Sequence, residues 1–257
     1  LDVRSAGVVD LIAKREPEVI FHLAAQADVR VSVANPTFDA EVNILGSLNV
    51  CEGAVIARTR KLVFAGSGGT LYGIPEALPV TEDHPRHPVS PYGVAKKAVG
   101  DYLHYYRVER GLDSTILALA NVYGPRQDPH GEAGVVAIFA GRLLAREAPT
   151  IYGDGEQTRD FVYVDDVVDA FARARNAAGG ELANVGTGTE TSVNRLFAVM
   201  AELTGFTGEA RYAPARTGEL ARSALDPAHL GELTGWKPAT SLEEGLRKTL
   251  AWFRNRD

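Results

Sequence analysis

Short apolar runs alternate with amphipathic stretches along the first part of the chain. Four runs suit strands buried on both faces, at residues 18–23, 61–65, 114–119 and 182–185. Amphipathic helical stretches separate the first three. Because strands that alternate with helices pair in parallel, this pattern predicts an α/β fold with a doubly wound parallel sheet.

The pattern becomes less regular after Pro125. A loop is expected at 127–134, helices at 135–145 and 164–175, a short strand at 150–152, and a closing amphipathic helix at 242–253. We therefore expect a Rossmann-type domain formed by 1–124 and 161–185. A smaller, discontinuous substrate-binding lobe would contain 125–160 and 186–257.

Composition and charge narrow the class of partner. The chain has 257 residues and a net charge of −6, so it lacks the excess of Lys and Arg that binds nucleic acid or anionic membranes. No apolar run reaches the roughly 18 residues of a membrane span. The single cysteine, Cys51, lies in an apolar helical run and excludes an internal disulfide, which favours a reducing cytoplasm.

Tyr92 and Lys96 are the most informative pair of residues. On a helix that begins near Pro91, a spacing of four places both side chains on one face. The lysine charge would favour the phenolate form of Tyr92 and make it a better base at neutral pH. An isolated pair of this kind is common on exposed helices, so the neighbouring segments decide its meaning.

Three segments follow the predicted strands, at 21–26, 63–69 and 121–126. In an open parallel sheet the ligand crevice lies beyond the carboxyl ends of the strands. We therefore expect these three loops and the Tyr92 helix to converge on one site.

These segments, and the block at 121–164 above all, resemble the extended short-chain dehydrogenase/reductases, in particular the UDP-glucose 4-epimerases. The likeness runs from Asp2 to about Phe253. It implies an NAD-dependent isomerase that inverts C4 of a UDP-sugar through a transient 4-keto intermediate. Tyr92 would be the catalytic base, and Lys96 would bind the nicotinamide ribose and tune the phenol.

The family's glycine fingerprint, which seats the cofactor pyrophosphate, is not found in this sequence. Relative to the family, the sequence is expected to begin roughly sixty residues late, the size of a β-α-β-α-β opening. The glycines at 66–69 and at Gly186 and Gly188 are better explained as turn glycines.

A catalytic hydroxyl is the third part of the implied site. The family carries Ser or Thr four residues before the tyrosine that matches Tyr72, and this position is Gly68. Ser67, one residue earlier, is the hydroxyl that we assign. Thr70 is a weaker substitute.

The resemblance also implies cofactor contacts. Asp2 and Val3 would hold the adenine, and a polar contact is assigned to Asn43, although a helical asparagine that faces solvent is an alternative. Ala118 and Leu119 replace an Arg and a Tyr of the family, which is expected to loosen the nicotinamide end. The full set of cofactor residues is Asp2, Val3, Leu23, Ala24, Ala25, Gln26, Asn43, Ala65, Tyr92 and Lys96.

For the UDP-sugar, guanidinium groups are suited to forked contacts with a diphosphate. Ser223 stands where a large aromatic residue restricts some relatives to plain hexoses, so bulkier sugars are expected to fit. The implied substrate residues are Ser67, Asn121, Val136, Tyr152, Arg159, Arg216, Glu219 and Ser223.

Other functions stay open at this point. The histidines show no metal-ligand spacing, and no metal is expected. A UDP-glucuronate 4-epimerase, a dehydratase or decarboxylase, and a non-catalytic NAD or nucleotide-sugar binder are the alternatives. Dehydratases of this superfamily carry an Asp-Glu pair where this chain has Gly68 and Gly69. Homodimers are common among similar enzymes, so a homodimer is a candidate assembly for this chain.

Overall fold

The computed structural model describes residues 1–129, 134–215 and 220–255. Its first half contains most of the large sheet and the helices on one face. In chain order, the elements are α1 (Gly7–Arg15), β1 (Val19–His22), α2 (Val29–Ala34), α3 (Pro36–Ala40), a π-helical segment (Glu41–Leu45), α4 (Gly46–Ile56), β2 (Lys61–Ser67), α5 (Gly68–Leu71), α6 (Pro91–Arg110), β3 (Asp113–Leu119) and β4 (Asn121–Tyr123).

The second half contains shorter strands and four longer helices. Its elements are α7 (Val135–Leu144), β5 (Thr150–Tyr152), β6 (Thr158–Arg159), β7 (Phe161–Tyr163), α8 (Val164–Ala174), β8 (Leu182–Val185), β9 (Thr191–Ser192), α9 (Val193–Thr204), β10 (Arg211–Ala213), α10 (Ala228–Thr234) and α11 (Leu242–Arg254).

A four-stranded parallel sheet, in the order β1-β2-β3-β8, forms the centre of the fold. All four strands that the apolar runs predicted are present. In β2, Phe64 pairs with His22 of β1 on one side and with Ile116 of β3 on the other. The predicted α/β fold with a parallel sheet is confirmed.

Side chains of β2 alternate between two apolar layers, as a strand with helices on both faces requires. Leu62 and Phe64 pack with residues of α1, α4 and α6. Val63 packs on the opposite face with α8 and with Trp236. Cys51 of α4 lies in the first layer and is 1% exposed, as a small buried hydrophobe.

A third apolar cluster joins α7, α9 and α11 and includes Tyr123 and Tyr163. The described residues also form three two-stranded sheets: β4 with β7, β5 with β10, and β6 with β9. The segment at 121–126 was expected to be a loop, but its first three residues form β4 because Asn121 pairs in register with Phe161. The two-domain division stays a prediction.

Helix α6 has strong boundary signals. Ser90 caps its first turn, where the Oγ atom accepts a hydrogen bond from the Gly93 amide at 3.2 Å, and Pro91 occupies the first turn. Gly111 ends the helix with a φ of +71°, a left-handed conformation that suits glycine. Over the described ranges, no helix has the length and apolar character needed to cross a bilayer.

Candidate active site

The first turn of α6 lies directly against α5, the short helix that follows β2. A Cβ atom on Gly93 would stand 2.7 Å from the carbonyl oxygen of Thr70, so the two backbones approach closely. Ser67 is the last residue of β2 and precedes α5. The fold thus brings the Tyr92 turn to the segment that carries the assigned hydroxyl.

Lys96 lies beneath Tyr92 and is 5% exposed. Its Nζ atom donates a hydrogen bond to the carbonyl oxygen of Ala65 at 2.9 Å. The same atom lies 5.6 Å from the centroid of the Tyr92 ring and 4.5 Å from that of Phe64. The predicted pair therefore shares one face of the helix, with the ammonium held in place by β2.

Burial makes this ammonium easier to deprotonate. Loss of solvation lowers the pKa of Lys96 to about 8, and the negative charge of Asp39 opposes that shift. His22 is the nearby histidine of β1, and its Nε2 atom is hydrogen-bonded to Ser47 Oγ at 2.8 Å. Burial, helped by the Lys96 charge, lowers the pKa of His22 to about 4, so the ring is neutral at neutral pH.

Packing explains why no hydroxyl stands at position 68. A Cβ atom on Gly68 would lie 2.2 Å from a Leu225 methyl carbon, so a serine there would require Leu225 to move. Ser67 is partly buried at the strand end. The Thr70 hydroxyl oxygen is buried and has no hydrogen-bond partner among the described residues.

Asn43 is buried at 2% exposure instead of facing solvent. Its side chain clamps the loop that follows β1, since Oδ1 accepts from the Gln26 amide at 3.0 Å and Nδ2 donates to the Gln26 carbonyl at 2.9 Å. Nδ2 also donates to Asp39 Oδ1 at 2.9 Å. In the same loop, Leu23 and Ala24 are exposed and Ala25 is half-buried.

Asp2 and Val3 form the turn before α1. The Asp2 carboxylate accepts hydrogen bonds from the backbone and guanidinium of Arg4, which lower its pKa to about 2. The Val3 carbonyl accepts from Asn49 Nδ2 at 2.9 Å, and a Cβ atom on Gly46 would lie 2.6 Å from the Val3 side chain. This turn is therefore anchored to α4.

Three predicted substrate residues line one cavity of about 450 Å³: Asn121, Tyr152 and Arg159. Arg159 is partly buried, and its Nη1 atom donates to the carbonyl oxygens of Thr158 and Leu220 at 2.7 and 2.8 Å. Val136 is 1% exposed and belongs to the third apolar cluster. Its neighbour Val135 lines the cavity.

Ser223 is 8% exposed in the segment that returns toward β8. Arg216 and Glu219, the other predicted phosphate and ribose ligands, lie outside the described residues. Within the ranges that the structure covers, no group of three or more His, Cys, Asp or Glu side chains is arranged to hold a metal ion.

Comparison with known proteins decides the family. The model of the NAD dependent epimerase/dehydratase family matches residues 1–186. The chain belongs to this family. Its sequence is 51% identical, over 99% of the chain and 82% of the relative, to a UDP-glucose 4-epimerase of Mycolicibacterium smegmatis.

Two solved structures agree with the family assignment. A UDP-glucose 4-epimerase from Thermotoga maritima, solved with UDP-glucose, is 45% identical with a TM-score of 0.98. The Thermus thermophilus UDP-glucose 4-epimerase, solved with NAD, is 43% identical with a TM-score of 0.94. Each match covers 100% of this chain and 84% of the other. The resemblance inferred from the sequence is confirmed, as is the doubly wound Rossmann-type fold class.

Two residues of this epimerase/dehydratase site were not anticipated. The charge of Asp39 opposes the lowering of the Lys96 pKa, and the charge of Lys96 helps to lower the pKa of His22. His22 is part of the segment at 21–26, but an apolar strand gave no reason to single it out. Asp39 stands four residues before Asn43, a spacing that places both on one helix face and was the available signal.

Proposed function

We propose that the protein epimerises a UDP-sugar at C4 through a transient 4-keto intermediate, with NAD as the bound cofactor. The observation that carries the proposal is the Lys96 ammonium, buried beneath the Tyr92 ring and held by the Ala65 carbonyl at the end of β2. The family membership and the 4-epimerase relatives support the same reaction.

The chain's own part in the reaction is proton transfer and positioning. Tyr92, as phenolate, takes the proton from the C4 hydroxyl and later returns it to the reduced sugar. The Lys96 charge favours the phenolate, and Ser67 would hold the sugar oxygen near it. Bound NAD supplies the hydride acceptor and, in the second half of the reaction, the hydride donor.

The residues present fit the nicotinamide end of a dinucleotide. The buried Lys96 can donate to ribose hydroxyls, and the loop that Asn43 clamps through Gln26 exposes the small residue Ala24 beside the half-buried Ala25. Asp2, at the far end, would contact the adenosine, and Ala65 would lie beside the nicotinamide.

The cavity near β5 suits the nucleotide half of the substrate. Arg159 would pair with the diphosphate, Tyr152 would stack on the base, and Asn121 would contact a phosphate or the sugar. Val136 would meet the base through its backbone. We assign Arg216 to the diphosphate and Glu219 to the ribose on the family pattern.

Turnover tests the reaction directly. The purified protein, supplied with NAD, is expected to interconvert UDP-glucose and UDP-galactose, as resolved by chromatography of the products. Absence of a 4-epimer from plain, N-acetylated and uronic acid UDP-sugars alike would contradict the proposal. A dehydratase is disfavoured because Gly68 and Gly69 offer no group that can move a proton.

Ser223 sets a further expectation on sugar range. A small residue there leaves room for an N-acetyl or carboxylate group, so both N-acetylated and plain hexoses should turn over. Replacing Ser223 with Tyr should lower kcat/KM for UDP-N-acetylglucosamine by about tenfold or more and spare UDP-glucose. A strict preference of the parent for UDP-glucose would contradict this expectation.

A homodimer is the assembly that the surface supports. Exposed apolar side chains follow one another along α6 and the adjoining π-helical segment: Leu45, Val94, Tyr102 and Tyr105. A second copy of the same two helices would cover them. Light scattering should give twice the chain mass, and Tyr102→Glu with Tyr105→Glu should give the monomer. A monomeric parent would contradict the proposal.

The single buried cysteine favours the cytoplasm as the compartment.

A further inference from the structure

Asp160 is a buried acid between β6 and β7, and its exposed fraction is 1%. Its carboxylate accepts hydrogen bonds from the Thr187 hydroxyl at 2.6 Å and from the backbone amides of Thr187, Gly188 and Leu225 at 2.9, 3.1 and 3.2 Å. Burial raises the pKa of this carboxyl, and the bonds that it accepts oppose the rise. Four donors that converge on one buried acid tie together segments that are distant in sequence.

The main chain of Asp160 connects two residues of the substrate cavity near β5. Its neighbour Arg159 lines that cavity together with Asn121. The Asn121 amide donates a hydrogen bond to the carbonyl oxygen of Asp160 at 2.9 Å. One proposed ligand of the diphosphate is therefore joined covalently to Asp160, and a second substrate residue is hydrogen-bonded to it.

The side chain of Asp160 holds a different segment, at 223–226. This segment contains Ser223, the residue at the predicted gate of the sugar pocket, and Leu225, whose amide donates to Asp160 Oδ2. A Cβ atom on Gly68, the residue after the assigned hydroxyl, would lie 2.2 Å from a Leu225 methyl carbon. The segment that Asp160 holds therefore packs against the end of β2, where the sugar is expected to react.

The junction around Asp160 is closely packed. A Cβ atom on Gly186 would lie 2.4 Å from Asp160 Oδ2 and 3.0 Å from Leu225 Cβ, so a side chain at this position would displace the acid or the segment. The other edge of the segment is held by Val80, whose amide and carbonyl groups bond to the two neighbours of Leu225, each at 2.8 Å. Residues 223–226 are thus fixed from both sides while Asp160 keeps its bonds.

We propose that Asp160 is a positioning residue that sets the distance between the diphosphate ligands and the reacting end of the sugar. The inference rests on the proposed function, in which Arg159 pairs with the diphosphate and Ser67 holds the sugar. A UDP-sugar spans both places, so its C4 hydroxyl meets Tyr92 only when the two are correctly spaced. A misplacement of about 1 Å can lower a rate by about 10²-fold. Loss of the acid should therefore lower kcat and leave the affinity for the UDP half nearly unchanged.

Asp160→Ala tests the proposal by removing every acceptor of the side chain. Its kcat for UDP-galactose should fall by about tenfold or more, while the Kd for UDP, measured by calorimetry, should stay within about threefold of the parent value. Asp160→Asn should restore most of kcat. Its amide oxygen can take the place of Oδ2 and accept from the three backbone amides, while its NH₂ group donates to the Thr187 hydroxyl.

Asp166→Ala is the matched control for loss of a buried acid. Asp166 of α8 is 7% exposed and accepts hydrogen bonds from the amide and hydroxyl of Thr240 at 3.1 and 3.3 Å. D166A should lower Tm, because it leaves these donors without their acceptor, and should change kcat by less than about twofold. A loss of kcat in D160A that D166A does not share is therefore not a general effect of destabilisation.

Gly186→Ala disturbs the same junction without removing the acid, and it decides the case if D160A does not fold. Its added methyl group should displace Asp160 and give the same split between kcat and UDP affinity. Three results would overturn the inference: a parent-like kcat in the folded variant, a UDP affinity that falls as much as kcat, or a D160N protein as slow as D160A.

A measurement on the parent protein needs no variant and no turnover. Hydrogen exchange at the Leu225 amide, followed by NMR, requires the bond to Asp160 to open. UDP-glucose, whose sugar would contact the segment at 223–226, should slow this exchange by about threefold or more relative to UDP alone. Equal protection by the two ligands would overturn the inference. Extra protection by UDP-glucose without formation of a 4-epimer would contradict the proposed reaction, but not the placement of the sugar by Asp160.

Discussion

Replacing Tyr92 with phenylalanine is expected to lower kcat for UDP-galactose by about 10³-fold and to leave KM within a few fold. The phenol is the proposed proton acceptor, and general acid–base catalysis contributes typically 10²–10⁴-fold to an enzymatic rate. Phenylalanine keeps the ring beside Lys96 and removes the hydroxyl alone. The measurement is steady-state kinetics with resolved products.

Tyr102→Phe is the control for this variant. Tyr102 lies on the same helix, ten residues from Tyr92, and Phe keeps the ring at the proposed dimer contact, so loss of its hydroxyl should change kcat by less than about twofold. If Y92F keeps most of the parent activity while it binds NAD and folds normally, Tyr92 is not the base. A loss confined to KM would instead assign Tyr92 to substrate binding.

The sheet was predictable because its strands are long enough to show a pattern. The runs at 61–65 and 114–119 differ from β2 and β3 by at most two residues at an end. The helices at 135–145 and 242–253 agree as closely with α7 and α11. Each of these elements buries a continuous apolar face, which fixes both its type and its approximate limits.

The strands of the small sheets, except for β5, were not predictable from the sequence. Strands such as β6 and β9 have two residues each, too few for any periodicity to appear. Their pairing depends on where the larger elements bring them. The same reason hides the packing of α3 on α6, two helices about 50 positions apart in sequence.

The assigned hydroxyl illustrates a different limit. Sequence comparison alone reads Gly68 as a lost serine, whereas the structure gives a steric reason for glycine, since Leu225 occupies the space that a side chain would need. That reason depends on a residue more than a hundred positions away. The catalytic role of Ser67 stays a prediction.

Replacing Lys96 with methionine should remove activity and stabilise the fold. Methionine lacks the charge that favours the Tyr92 phenolate and the donor that would bind the nicotinamide ribose, so kcat should fall by about 10²-fold or more. Activity of the parent should itself decline as pH rises through about 8, where Lys96 loses its proton. A K96M protein with parent-like kcat would contradict the assigned role.

The gain in stability follows from the lowered pKa of this lysine, from 10.5 to about 8. Such a shift corresponds to about 3 kcal/mol against the charged form in the folded protein. That figure already includes the attraction of Asp39. Loss of the hydrogen bond from Lys96 to the Ala65 carbonyl offsets part of it, so K96M should raise the free energy of unfolding by about 1–2 kcal/mol at pH 7.

The pH dependence of that gain has a definite sign. Between pH 8 and 10.5 the unfolded chain holds a proton that the folded protein has released, so parent stability from Lys96 rises with pH across this window. The stability advantage of K96M should therefore be largest below pH 8 and shrink by pH 9.5 in denaturant titrations.

Lys61→Met is the contrasting control. Its ammonium is equally buried but pairs with Asp113 at 2.9 Å, so its removal should destabilise the protein. A K96M protein less stable than the parent at pH 7 would mean that the contacts of Lys96 outweigh the penalty of burying its charge.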